Sequence, residues 1–133
     1  KIYLIGVDAI QPDGTLAAEL ERGQRALHYH SFAATPLVAI ARLALLRDED
    51  FFAARDGNLC RLVDLVLDGM KDPQLLEPAA GAKQKKIGKP RWLILAVGCP
   101  EAVEAAGGKV ASDSKLGGNL GLLTDVLDEA APQ

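Results

Sequence analysis

The chain has 133 residues, 49% hydrophobic and 25% charged, a composition that fits one soluble globular domain or a piece of one. Its net charge of −3 excludes a general nucleic-acid binder, which carries a basic surplus, although a local basic cleft can still attract a polyanion. No apolar run is long enough to span a membrane. Cys60 and Cys99 are too few for a disulfide scaffold, and the usual place of cysteine in cores favours two buried thiols over a pair.

Residues 1–10 carry apolar side chains at Ile2, Tyr3, Leu4, Ile5, Val7 and Ile10, a spacing that fits a helix tail or a short strand. Gln11-Pro12-Asp13-Gly14 is a turn, with proline at its second position and glycine at its fourth. Asp13 suits that turn as a turn residue. Residues 15–22 place Leu16, Ala17 and Leu20 on one face and form a short helix or an extended arm. Gly23 interrupts, and helix resumes over 24–34. Pro36 either kinks that helix or opens a new one capped by Thr35. Residues 37–46 are apolar on nearly every face except at Arg42, as in a helix buried on most sides.

Asp48-Glu49-Asp50 marks a solvated turn. Asn58 is then an expected N-cap for a strong amphipathic helix through Leu59, Leu62, Val63, Val66, Leu67 and Met70, which Pro73 stops. Residues 81–91 hold five cations and read as a solvated, mobile loop or as part of a basic rim for an anionic polymer. By composition, Trp92–Val97 reads as a buried strand. Gly107-Gly108 ends the element that follows Pro90, and residues 119–130 form a last short helix.

The chemistry concentrates in residues 20–37, LERGQRALHYHSFAATPL, where Arg22, Arg25, His28, Tyr29 and His30 fall within ten residues. On one continuous helix Arg22 and Tyr29 would share a side and lie about 10 Å apart along the axis, too far to touch but suited to gripping an extended ligand at two points. The plain readings are a core tyrosine at position 29 and an ion pair of Arg22 with Glu19 or Glu21.

The pattern RxxRALxYHxxAxxPL, preceded by Asp13-Gly14-x-Leu16, Glu19-Leu20 and Arg22, resembles the mannuronate-type alginate lyases, polysaccharide lyase family five. The resemblance is strong over about residues 8–40 and loose after about residue 75. It implies an all-α fold, with helix at both 1–10 and 92–97. Residues 1–133 would be the C-terminal portion of a single (α/α) toroid, partnered by an N-terminal portion of the same protein. It also implies a bacterial periplasmic or secreted enzyme that cleaves a 1,4-linked polyuronate by β-elimination, with polymannuronate the first substrate and related uronates open. No cofactor or metal is implied, and His28-x-His30 alone would not fill a zinc site.

Such an elimination needs the uronate carboxylate neutralised, the C5 proton removed and the departing 4-oxygen protonated. The resemblance makes Tyr29 the acid, and the base as well in a syn elimination. Phenols ionise near pH 10, and neighbouring cations favour the anion. Arg22 would neutralise the carboxylate through the planar fork of its guanidinium. Arg25, His30 and Lys115 are the candidate substrate-binding residues. Lys115 stands in Lys115-Leu116-Gly117-Gly118, where the family has Arg-Leu-Gly-Gly. On a helix His30 would point away from Tyr29, which also fits a structural role.

The family's upstream Asn-His pair is absent before Arg22, so either it lies in the expected N-terminal portion, the preferred reading, or this chain is not competent alone. Two other function classes compete. A toroid glycoside hydrolase would need two flanking carboxylates, for which Asp13, Glu19 and Glu21 are available. A carbohydrate-binding or helical interaction module would use the same cleft without catalysis.

Overall fold

The structure, a computed structural model, describes residues 2–107. Its elements are α1 (Ile2–Asp8), α2 (Ala17–Leu20), α3 (Ala26–Leu45), α4 (Ala54–Lys71), α5 (Glu77–Ala80) and α6 (Pro100–Ala105). Short 3-10 turns lie at Gly23–Arg25, Phe51–Ala53, Pro73–Leu76 and Arg91–Leu95. Among the described residues there is no sheet, only an isolated bridge between Ile10 and Leu16. The fold is all-α.

The apolar stripe of α4 places Leu59, Leu62, Val63, Val66 and Leu67 in the core. Each such side chain contributes roughly 1.5–3 kcal/mol over its exposed state. The stripe packs on α3, whose Ala34, Leu37, Val38, Ala39 and Ala41 are buried in the same cluster. α3 runs unbroken across Pro36. Proline there removes one amide donor, a cost of about 3 kcal/mol. The buried residues on both sides of it, Thr35, Leu37 and Val38, outweigh that cost and hold the helix together.

Three sequence expectations change. Asn58 does not cap its own helix: its Nδ2 donates to the carbonyls of Val7 at 3.1 Å and Ile10 at 3.3 Å, closing the end of α1. The reason is that Arg55, Asp56 and Gly57 sit in left-handed conformation, so the chain enters the regular part of α4 sharply. Trp92–Val97 is neither strand nor α-helix but the 3-10 turn Arg91–Leu95 followed by irregular chain, with Trp92, Leu93 and Leu95 all buried. Cys60 and Cys99 are a disulfide with Cα atoms 5.3 Å apart, not two thiols. It ties α4 to the residue preceding α6, a pairing across 39 positions that local sequence does not announce.

Tyr3 is committed to the core. Its hydroxyl donates to the Phe51 carbonyl at 2.8 Å, and burial, helped by Asp50, pushes the phenol up to about 12. Beside it, the exposed Ile2 and Ile5 and the edge of α3 at Pro36 and Leu37 line an apolar groove of about 500 Å³.

Candidate active site

The 11–14 turn forms as expected, with the Gly14 amide on the Gln11 carbonyl at 2.8 Å. Asp13 Oδ1 accepts from the Thr15 amide at 2.9 Å and lies 2.6 Å from its hydroxyl. These bonds hold the Asp13 carboxyl below the usual carboxylate range and occupy it locally. Gly14 has φ +89°, and a Cβ there would collide with the Arg61 carbonyl of α4. The turn therefore rests directly on the α4 backbone and aims the arm 15–22 at α3.

His30 secures that arm. It is fully buried, and its Nε2 accepts from the Leu16 amide at 2.9 Å. Because an amide can only donate, Nε2 carries no proton and Nδ1–H donates to the Ala26 carbonyl at 2.7 Å. Burial lowers the His30 pKa, which keeps the ring in this neutral form. Both ring nitrogens are thus used within the fold, and His30 stands behind the site rather than at its surface.

Gly23 then takes φ +60°, and a 3-10 turn leads into α3. Arg22 is consequently not on the axis of α3. Its guanidinium carbon lies 4.5 Å from the centroid of the Tyr29 ring. The expectation that the two residues lie too far apart to touch is overturned: the glycine turn folds the arginine back onto the phenol. A cation over a ring contributes about 0.5–1 kcal/mol at an exposed site. Arg22 Nε also lies 3.5 Å from Glu19 Oε2 in an i, i+3 pair, and half of the arginine side chain remains exposed.

Tyr29 is half-buried on the first turns of α3. His28 meets its ring edge-on at 5.5 Å, and the Phe32 ring is 6.4 Å away. Arg25 is exposed at the end of the 3-10 turn. Lys115 lies outside the described residues. The structure therefore brings Arg22 and Tyr29 together, places Arg25 nearby in sequence at the surface, and sets His30 beneath them. Of the three carboxylates suited to hydrolysis, Asp13 is taken up by Thr15 and Glu19 by Arg22, while Glu21 is exposed.

One participant was missed in the sequence. α3 has no side-chain cap of its own at Arg25. The cap comes from Gln84, which is 7% exposed. Its Oε1 accepts from the Leu27 amide at 3.0 Å, and its Nε2 donates to the Gly23 carbonyl at 2.8 Å. The Lys85 amide adds a bond to the Gln24 carbonyl at 2.9 Å. The lysine-rich stretch is therefore pinned against the turn between Arg22 and Tyr29 and is not the free loop that its composition suggests. A single uncharged amide among lysines was its only signal.

Residues 1–76 match the sequence family described as alginate lyase. The chain belongs to the alginate lyase family. Among its relatives, a polysaccharide lyase of Stenotrophomonas maltophilia (strain K279a) is 44% identical over 88 residues, covering 66% of this chain and 27% of the relative. An alginate lyase of Cobetia marina is 45% identical over 84 residues, covering 63% and 22%. An alginate lyase of Pseudomonas fluorescens is 36% identical over 139 residues, covering 97% and 37%. The chain thus spans well under half the length of these family members. The family match contains the arm, the glycine turn and both Arg22 and Tyr29.

Proposed function

We propose that the protein carrying this chain is a polysaccharide lyase that cleaves a 1,4-linked polyuronate, polymannuronate first, by β-elimination at Tyr29 and Arg22. The observation that carries this reading is the Arg22 guanidinium held over a half-exposed tyrosine ring. In the reaction, the Tyr29 oxygen, starting as the phenolate, takes the C5 proton, the C4–C5 double bond forms and the C4–O4 bond breaks. The same phenol returns the proton to O4 in a syn elimination. Arg22 turns its free guanidinium edge to the uronate carboxylate and offsets the charge that builds there and at the phenolic oxygen. Fixed donors aimed at developing charge are commonly the largest catalytic contribution.

Arg25 and, beyond the described residues, Lys115 extend the grip on the polyanion. His30 serves the site by holding Leu16 and Ala26, which fixes the arm that ends in Arg22. An N-terminal portion of an (α/α) toroid would supply the further carboxylate-neutralising pair that the family uses. The Cys60–Cys99 disulfide supports a periplasmic or secreted setting, since disulfides persist in oxidising compartments.

The test is product analysis with the natural full-length protein on polymannuronate. Elimination yields an unsaturated uronate that absorbs in the ultraviolet, whereas hydrolysis yields reducing ends without that absorbance. New reducing ends without ultraviolet absorbance would replace the lyase reading with a hydrolase, and neither product would leave a binding module.

A further inference from the structure

One helical turn beyond Tyr29, α3 forms the wall of a second cleft, of about 340 Å³. His28, Ser31 and Phe32 line this wall, and Lys86, Lys89 and Arg91 line the wall opposite. Both walls are fixed. Trp92, 1% exposed, donates its indole N–H to the Ser31 carbonyl at 3.1 Å, with the Ser31 hydroxyl 3.3 Å away. At the other end of the strip, Gln84 and the Lys85 amide hold it to Gly23, Leu27 and Gln24. Three exposed cations are thus displayed within six residues on a strip stapled at both ends, in a chain whose net charge is −3. Among the described residues, no carboxylate lines the cleft.

From this geometry we infer that the cleft is a second carboxylate-binding subsite, which holds a uronate unit further along the chain from the one that Tyr29 attacks. The inference rests on the proposed reaction at Tyr29 and adds a site outside it. Three features select a uronate over a simple anion. The cations meet a carboxylate, while the His28 and Phe32 rings offer a flat apolar face to the C–H side of a sugar. Both rings also contact Tyr29, at 5.5 and 6.4 Å, so one extended chain passes from Tyr29 into the cleft without leaving the surface. Pre-fixed walls reduce the ordering cost that flexible lysines would otherwise impose on binding. The electrostatic part of the attraction weakens with salt, because the cations are exposed.

The test uses the full-length protein with Tyr29→Phe, which leaves oligouronates intact, and compares it with the same protein also carrying Lys89→Gln and Arg91→Gln. Both added positions are exposed, so an unchanged thermal midpoint confirms folding. Binding of an oligouronate is measured by calorimetry at low and high salt, beside the same oligomer with its carboxylates reduced to alcohols. The expected result is a loss on the order of tenfold or more for the charged oligomer, a shallower salt dependence and no change for the neutral one. Equal affinity in both proteins, or an equal loss for the neutral oligomer, would overturn the subsite. Because the readout is binding, it stands apart from elimination. If the natural protein produces no unsaturated uronate but the charge-specific loss is found, the subsite holds and the reaction assignment fails. If elimination occurs and the loss is absent, the reverse follows.

Discussion

Gln84 fixes the turn between the two proposed reacting groups from 57 positions away, and replacing it should reveal how much the site depends on that clamp. Gln84→Ala strips the Leu27 amide of its acceptor. Leu27 is fully buried, so water cannot substitute, and an orphaned amide of this kind costs about 1–3 kcal/mol. The lost bond to the Gly23 carbonyl adds about 0.5–1.5 kcal/mol, since that residue is partly open to solvent. The sum, about 1.5–4.5 kcal/mol, is large against a typical domain stability of about 5–15 kcal/mol. Gln84→Glu separates the two bonds. Its carboxylate still accepts from Leu27 at the start of α3, where negative charge is favoured, but nothing remains to donate to Gly23. Denaturant midpoints should therefore be highest for the natural protein, lower for Gln84→Glu and lowest for Gln84→Ala. Elimination should fall with them although Arg22 and Tyr29 are untouched, because a misplacement of about 1 Å can cost on the order of a hundredfold. A Gln84→Ala protein within roughly 0.5 kcal/mol of the natural one, the scatter of neutral surface changes, would refute the clamp.

Gly14→Ala should lower the thermal midpoint by the equivalent of about 1–3 kcal/mol or more, since it combines a left-handed backbone with a Cβ against the Arg61 carbonyl. An unchanged melting curve would mean that the turn does not rest on α4. Cys60→Ser, which opens a link between positions 39 apart, should cost about 4 kcal/mol in the chain-entropy account. Denaturant titration of the oxidised natural protein against the variant measures it, and a difference below about 1 kcal/mol would contradict the expected link. The half-buried Asp64 and the buried His30 give opposite pH responses. Burial, with Glu101 and Asp68, raises the Asp64 carboxyl from 3.8 to about 6. The native form therefore keeps a proton that the unfolded chain has lost, and stability drops as pH rises through that window. Asp64→Asn should raise the melting temperature at about pH 7 and give no gain below pH 3.8; a lower midpoint at neutral pH would reject this. His30, lowered from 6.5 by burial, contributes stability that is intact above 6.5 and lost as pH falls below it.

Much of this architecture was legible wherever the determining contacts are short-range. The stripe from Leu59 to Leu67 repeats at helical spacing and is buried as that spacing requires. Pro12 and Gly14 specify their turn, and Gly23 marks the break before Tyr29. What Gly23 does with direction was not legible, because a left-handed residue rotates everything before it and only tertiary packing decides where Arg22 lands. The same holds for Asn58, whose side chain answers carbonyls of α1 about fifty positions earlier. Gln84, the Cys60–Cys99 link and the 3-10 form of Arg91–Leu95 are likewise set by partners roughly 40 to 60 positions distant, or by burial on several sides at once. His30 was partly legible: its place on a helix points it away from Tyr29, and the core supplies both of its hydrogen bonds.

The central claim is that Arg22 and Tyr29 work as one unit, and a double-mutant cycle on elimination in the full-length protein tests it most directly. Tyr29→Phe should cost on the order of a hundredfold or more, and Arg22→Gln a comparable factor. Groups that act together are strongly non-additive, so the double variant should be scarcely slower than the slower single one. Losses that multiply would show two independent contributions and contradict the paired site. A Tyr29→Phe protein that eliminates at the natural rate would move the chemistry to another residue altogether.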